Sequence, residues 1–248
     1  MAVLTKGPVA ILVALLALCV YLVVNKGMSG YSAKHLLLVT LCTFIPILLW
    51  MGSAIAAHGI AYGKWFINEF ITYQVRLFST EDADHGGPFV YHFIVLLFGC
   101  FPASAFLFQY TRKAETHDAG TRNFTRWMWV LFWVVLILFS IVKTKIVHYS
   151  SLCYFPLTYL AALQLYRLGH EHQKLKAVVK WSLLTTGTIV ALLITLLPVT
   201  GINKQKIIPY IQDPFAVGNF AAEVSWSYAE TIWGIAYLVG IWVTVLAM

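Results

Sequence analysis

RWMWVLFWVVLILFSIVKTKIVHYSSLCYFPLTYLAALQLY, residues 126–166, holds two apolar runs joined by a short basic and aromatic segment. The runs cover 127–142 and 152–166, and the segment between them leaves almost no loop to spare. Apolar stretches approaching the roughly 20 residues that cross a bilayer, separated by a few polar ones, are the mark of a polytopic α-helical membrane protein. The same pattern recurs at 9–24, 36–57, 89–110, 181–199 and 232–248. The chain therefore reads as all-α, with about seven transmembrane helices and one external interfacial helix. The 248 residues leave no room for a soluble domain, so residues 1–248 are expected to form a single membrane domain.

Composition agrees. The chain is 60% hydrophobic and only 11% charged, where a soluble domain carries about 25% charge. That excludes a soluble globule, a disordered chain, a coiled coil and a nucleic-acid module. The net charge of +7 sits in short loops between apolar runs and reads as topology. Cys19, Cys42, Cys100 and Cys153 lie in or beside apolar runs without a CxxC pair, and read as small hydrophobes. The first run has Lys6 ahead of it but no A-x-A cleavage pattern after it, and is expected to be a retained span.

Loops 25–35, 111–126 and 167–180 carry ten cations and three acids. The N-terminus and loops 58–88, 143–151 and 200–231 carry seven of each. The positive-inside rule makes the first set cytoplasmic, with Met1 outside and Met248 inside. The Asn123-Phe-Thr sequon then falls on the cytoplasmic side and is discounted. Cytoplasmic loops read as short, basic and solvated. The external ones are longer and rich in aromatics, Gly and Pro, which is where function is expected.

Three external segments could carry chemistry. WFINEFITYQVRLF, at 65–78, fits an amphipathic helix with Asn68, Thr72 and Arg76 on one face. It is either an anchor or a device that turns Arg76 toward a lipid phosphate. STEDADHGGP, at 79–88, is either a solvated turn or a cation or substrate site built from Glu81, Asp82, Asp84 and His85. KTKIVHY, at 143–149, is the sharpest. Two lysines at a span boundary can simply snorkel, but His148 and Tyr149 are not needed for that. Lys145 and Tyr149 would share a face of a helix. Two ammoniums, an imidazole and a phenol suit a phosphate held at the membrane surface. Lys6, just before the first run, would lie near the same plane. His92 reads as a buried histidine with its hydrogen bonds met. No histidine pair stands at haem-ligand spacing, and the last run has no lysine for a retinal Schiff base.

Four stretches together resemble one family: LTKGP at 4–8, YQVRLFSTEDADHGGP at 73–88, the region 91–104 ending LLFGCFPAS, and SIVKTKIVHYSSLCYFP at 140–156. They are similar to motifs of the polyprenyl-phosphate-dependent membrane glycosyltransferases of the GT-C class, families 39 and 83. These include the aminoarabinose transferases and the protein O-mannosyltransferases. Leu77-Phe78 stands where many members have Phe directly after Arg. The resemblance implies transfer of a sugar from a polyprenyl-phosphate donor to a lipid or protein acceptor at the external face of a bacterial inner membrane. It implies that Arg76, Lys143, Lys145, His148, Tyr149 and Lys6 hold the carrier phosphate, and that His85 is the candidate for a divalent metal. Membrane lipids are the other expected partners, and nucleic acid is not one. The family's catalytic acid lies on an external loop upstream of the LTKGP-like motif. This chain is therefore expected to match the later part of such an enzyme, with the catalytic acid unknown and Glu81, Asp82 and Asp84 as the acids at hand. The alternative is a truncated or non-catalytic component that binds the carrier without transferring sugar. A small transporter or receptor fits the span count but gives no reason for the 143–149 element.

The topology is directly testable. Single cysteines placed at 83 and 118 in a cysteine-free background are treated with a membrane-impermeant thiol reagent on intact cells. Position 83 is expected to label and position 118 not to; the reverse pattern overturns the orientation.

Overall fold

The computed structural model describes residues 9–25, 32–79, 86–110, 118–171 and 173–247, with backbone alone at 33, 36, 74, 75 and 77–79. Among these residues the secondary structure is helical throughout, with no strand. The helices are α1 (Val9–Val24), α2 (Ala33–Ser79), α3 (Tyr91–Gly99), α4 (Ala103–Phe106), α5 (Ala119–Ile141), α6 (Tyr154–His170), α7 (Ala177–Ile202), α8 (Lys204–Ile207), α9 (Pro214–Phe220) and α10 (Ile232–Ala247). The all-α membrane architecture is as expected.

Four stretches are long and apolar enough to cross a membrane: Leu37–Tyr73, Ala119–Ile141, Ala177–Ile202 and Tyr228–Ala247. The bent pair Tyr91–Gly99 and Ala103–Gln109 makes a fifth if counted as one span. The remaining two of the seven expected runs fall in the shorter α1, of 16 residues, and α6, of 17 residues. The 89–110 run does not form one straight helix. It bends by 109° around Cys100–Pro102, where proline removes a backbone donor. The Ser104 hydroxyl donates to the Leu97 carbonyl (2.7 Å), so an acceptor exposed by the break is satisfied locally.

The chain forms two compact units, Met1–Leu96 with Lys113–Leu160, and Leu97–Arg112 with Ala161–Met248. In the first, α1 packs antiparallel on α5. Tyr21 stacks on Trp127 at 4.0 Å, Ala17 and Tyr21 bury with Val130, and Arg126 donates to the Asn25 side chain (3.0 Å). Asp118 caps α5 by accepting from the Thr121 amide, and the hydrogen bonds from Thr121 hold its carboxyl below the usual carboxylate range. The start of α6 runs back along α5, joined by the Thr125–Tyr159 hydroxyl pair (3.1 Å) and by Phe124 edge-on to Tyr159.

Helix α2 is two helices. Gly59 breaks it with φ 86°, a left-handed value that glycine takes without a Cβ penalty. The second half folds back on the first: Trp50 meets Phe66 and Phe70 edge-on at 5.1 and 6.1 Å, and a Cβ on Gly63 would collide with Ile55. The expected 65–78 helix is present, with Asn68, Glu69, Thr72 and Arg76 exposed, but it packs on its own first half.

The second unit is built on α7 and α10, which lie antiparallel. Trp242 Nε1 donates to the Thr188 hydroxyl (3.1 Å), and Ile241 lies over Gly187. Ala105, Phe106, Ala161, Val179, Leu183, Leu184 and Val245 form its core. Gln109 is clasped from both sides, donating to the Lys174 carbonyl and accepting from the Lys176 amide, both at 3.0 Å. The more basic set of loops, expected to be solvated, is therefore not uniformly so. Arg167 is buried, and the Lys176 ammonium caps the carbonyls of Phe108 and Tyr110. Of the four cysteines, Cys153 is buried, Cys100 half-buried, and Cys19 and Cys42 exposed.

Helices α7 and α10 approach closely at Gly234, where an added Cβ would collide with the Thr195 hydroxyl and lie 2.8 Å from the Ala191 carbonyl. Gly234→Ala is expected to destabilise the α7–α10 pair by about 1–3 kcal/mol, the usual cost of overpacking. A lower melting temperature in detergent and faster proteolysis of 200–231 would show it.

Candidate functional site

The 143–149 element begins where α5 ends. Val142 caps the helix by donating to Leu138, and its ψ of 135° turns the chain out of helical conformation. Ile146 is extended, and a 3-10 turn over Val147–Cys153 leads into α6. The segment 143–146 is therefore not helical, and Lys145 and Tyr149 do not share a helical face. They still meet around one residue. The Lys145 ammonium donates to the Phe139 carbonyl (3.2 Å), and the Tyr149 ring lies 5.4 Å from the Phe139 ring.

The two lysines part company. Lys143 is exposed, as is His148. Lys145 is 5% exposed, and its ammonium turns back to the end of α5, donating to the carbonyls of Ser140 and Val142 (both 2.6 Å) as well as Phe139. The last carbonyls of a helix lack intrahelical donors, and a cation there also meets the negative end of the helix dipole. Burial pushes the Lys145 ammonium below the usual lysine range. Charge-assisted hydrogen bonds of about 1.5–3 kcal/mol each offset that desolvation.

Two neighbours were not legible as such. Gly87 lies against the aliphatic stem of Lys145, where an added Cβ would sit 3.0 Å from Cγ. The Gly-Gly-Pro sequence suggests a tight turn, but the structure uses Gly87 for close approach. His92 is fully buried beside this cluster, edge-on to the rings of Tyr91 and Phe139 at 5.1 and 6.4 Å. Neither of its ring nitrogens has a hydrogen-bond partner, so it is not the satisfied histidine expected. Its position one turn into an apolar run signalled burial but not this contact.

The other expected site residues lie elsewhere. Arg76 is exposed near the end of α2, with its guanidinium 5.4 Å from the centre of the Tyr73 ring. Lys6, Glu81, Asp82, Asp84 and His85 lie outside the described residues. Among the described residues no group of three or more metal-ligating side chains comes together. The arrangement thus presents one ammonium and one imidazole on a short turn fastened underneath by a second ammonium.

That fastening is testable. Gly87→Val should press on the Lys145 stem and loosen its grip on the α5 carbonyls. Hydrogen exchange over 139–149 is expected to quicken, with a stability loss of about 1–3 kcal/mol. Unchanged exchange there would mean the Gly87 contact does not support the turn.

Comparison with known proteins adds the relationship. The chain is 31% identical to an undecaprenyl phosphate-alpha-4-amino-4-deoxy-L-arabinose arabinosyl transferase of Pectobacterium carotovorum, over 85% of the chain and 36% of that protein. Proteins of the same name from Wigglesworthia glossinidia brevipalpis and Pseudomonas aeruginosa are each 28% identical, covering 68% and 98% of the chain and 29% and 43% of the relative. The chain thus spans between 29% and 43% of the length of these relatives. No family profile and no solved structure matches it. The four motifs and these relatives agree: the chain is a relative of the GT-C-type undecaprenyl-phosphate aminoarabinose arabinosyl transferases, matching a part of their length.

Proposed function

We propose that this chain is the carrier-binding part of a membrane glycosyltransferase, holding the phosphate of a polyprenyl-linked sugar donor at the external face of the bacterial inner membrane. The observation that carries this reading is the exposed Lys143 and His148 on a turn at the end of an apolar helix. Both stand in the 143–149 element, within one of the four stretches that resemble the family's motifs. The relatives' name, a transferase for an undecaprenyl-phosphate-linked aminosugar, supports a lipid-linked donor. Lys143, Lys145, His148 and Tyr149, with Arg76 and Lys6, form the carrier-phosphate element. The acceptor is a lipid or protein hydroxyl or phosphate. Met1 lies outside and Met248 in the cytoplasm.

Carrier binding without transfer is the second reading. Transfer needs a positioned general base, typically worth about 10²–10⁴ in rate, and Glu81, Asp82 and Asp84 are the acids at hand in this chain.

The test uses the full chain in lipid nanodiscs with undecaprenyl phosphate. Submillimolar binding is expected. Lys143→Ala and Arg76→Ala should each weaken it about tenfold or more, as loss of a charge-assisted contact implies, and more at low than at high salt. Unchanged affinity in both variants overturns the site. Sugar transfer by this chain, abolished by replacing Glu81, Asp82 or Asp84, would decide for catalysis over binding alone.

A further inference from the structure

Sequence treats Lys143 and Lys145 alike, as two cations at the boundary of a span; the fold does not. An ammonium has three protons and no acceptor capacity. That of Lys145 lies 2.6, 2.6 and 3.2 Å from the carbonyls of Ser140, Val142 and Phe139, so its donors are fully engaged. Gly87 closes over its stem, and Thr144 beside it is fully buried. To reach a phosphate, Lys145 would have to abandon three carbonyls at the end of an apolar helix, where unsatisfied backbone groups are costly. Lys143 has no such obligation: its side chain stands exposed on the same turn, as does His148.

We propose that the two lysines divide the work. Lys143 meets the carrier's phosphate, and Lys145 is a positioning residue that fastens the end of α5 and so sets the turn on which Lys143 and His148 stand. This rests on the carrier-binding reading above and refines it. A K-x-K pair then serves one anionic group with one lysine, and the second is committed to the backbone.

The test begins with the unaltered chain in lipid nanodiscs, treated with an amine-acylating succinimidyl ester at mildly alkaline pH. Modification is read at each lysine by peptide mass spectrometry, with and without undecaprenyl phosphate. Lys143 is expected to react readily and to be protected by undecaprenyl phosphate, while Lys145 stays unmodified in both conditions. Two variants complete it. Lys143→Ala should weaken undecaprenyl phosphate binding tenfold or more and flatten its salt dependence, without changing hydrogen exchange over 139–149. Lys145→Met, which keeps the stem and removes the donors, should quicken that exchange and weaken binding while leaving the salt dependence as steep as in the parent.

Lys145 reacting as fast as Lys143 and being protected by undecaprenyl phosphate would overturn the division. So would a Lys145→Met variant with unchanged exchange. If the unaltered chain binds no undecaprenyl phosphate while Lys145 remains unreactive, the carrier-binding reading and the role of Lys143 fall, and the capping role of Lys145 stands. A Lys145→Met variant that fails to fold leaves the decision to the labelling of the unaltered chain.

Discussion

Backbone carbonyls at the end of an apolar helix must find a donor, and around this demand the 139–149 region is organised. Helix α5 has no helix-breaking glycine at its C-terminus; Val142 simply turns out of the helix. The ammonium of Lys145 reaches back across the last turn and meets three carbonyls. A lysine suits this because its flexible stem can lie along apolar surface while its donors turn to the backbone. The path of the chain beyond Lys145 depends on that reversal. The turn can be short, α6 can start at once and return along α5, and Lys143 and His148 are left on the outside of the bend.

The same demand explains irregularities elsewhere. The Ser104 hydroxyl answers the Leu97 carbonyl where the 89–110 run bends. Lys176 answers the carbonyls of Phe108 and Tyr110 where a 3-10 turn over Leu107–Gln109 ends. Threonines within helices, such as Thr125, Thr185 and Thr195, donate to the carbonyl four residues before them, so their hydroxyls add no unmet group to an apolar surface. In each case a polar side chain is committed to a backbone carbonyl. Polar residues in such a chain are therefore poor guides to a site until their partners are known.

This sets what the sequence could reveal. Apolar runs near 20 residues long announce helices without any partner being known, so α5, α7 and α10 were legible directly. The fold-back of α2 was less so. Gly59 stood in a loop flanked by apolar and aromatic residues, and only the pairing of Trp50 with Phe66 and Phe70 turns that loop into a hairpin. Asn68, Thr72 and Arg76 could be assigned to one exposed face from spacing alone, because helical periodicity needs no tertiary contact. The split between Lys143 and Lys145 could not. It depends on where α5 stops and on Gly87 approaching from 58 residues earlier in the chain, and neither is encoded in a local pattern.

Buried polar groups without partners mark the opposite extreme. His92 keeps both ring nitrogens unmet, and Gln164 and Arg167, three residues apart on α6, leave both amide atoms and two guanidinium nitrogens unmet. A buried group in this condition costs about 1–3 kcal/mol, and more when charged. Lys145 shows that this fold can meet such a demand with backbone carbonyls when a helix end is near. Arg167 lies in the last turn of α6, where a cation also gains from the helix dipole, so part of its cost is offset. His92 stands in the first turn of α3, edge-on to the Tyr91 ring and to the Phe139 ring at the end of α5. Its surroundings offer aromatic edges and, among the described residues, no acceptor or donor within reach, so its burial carries the cost of two unmet nitrogens.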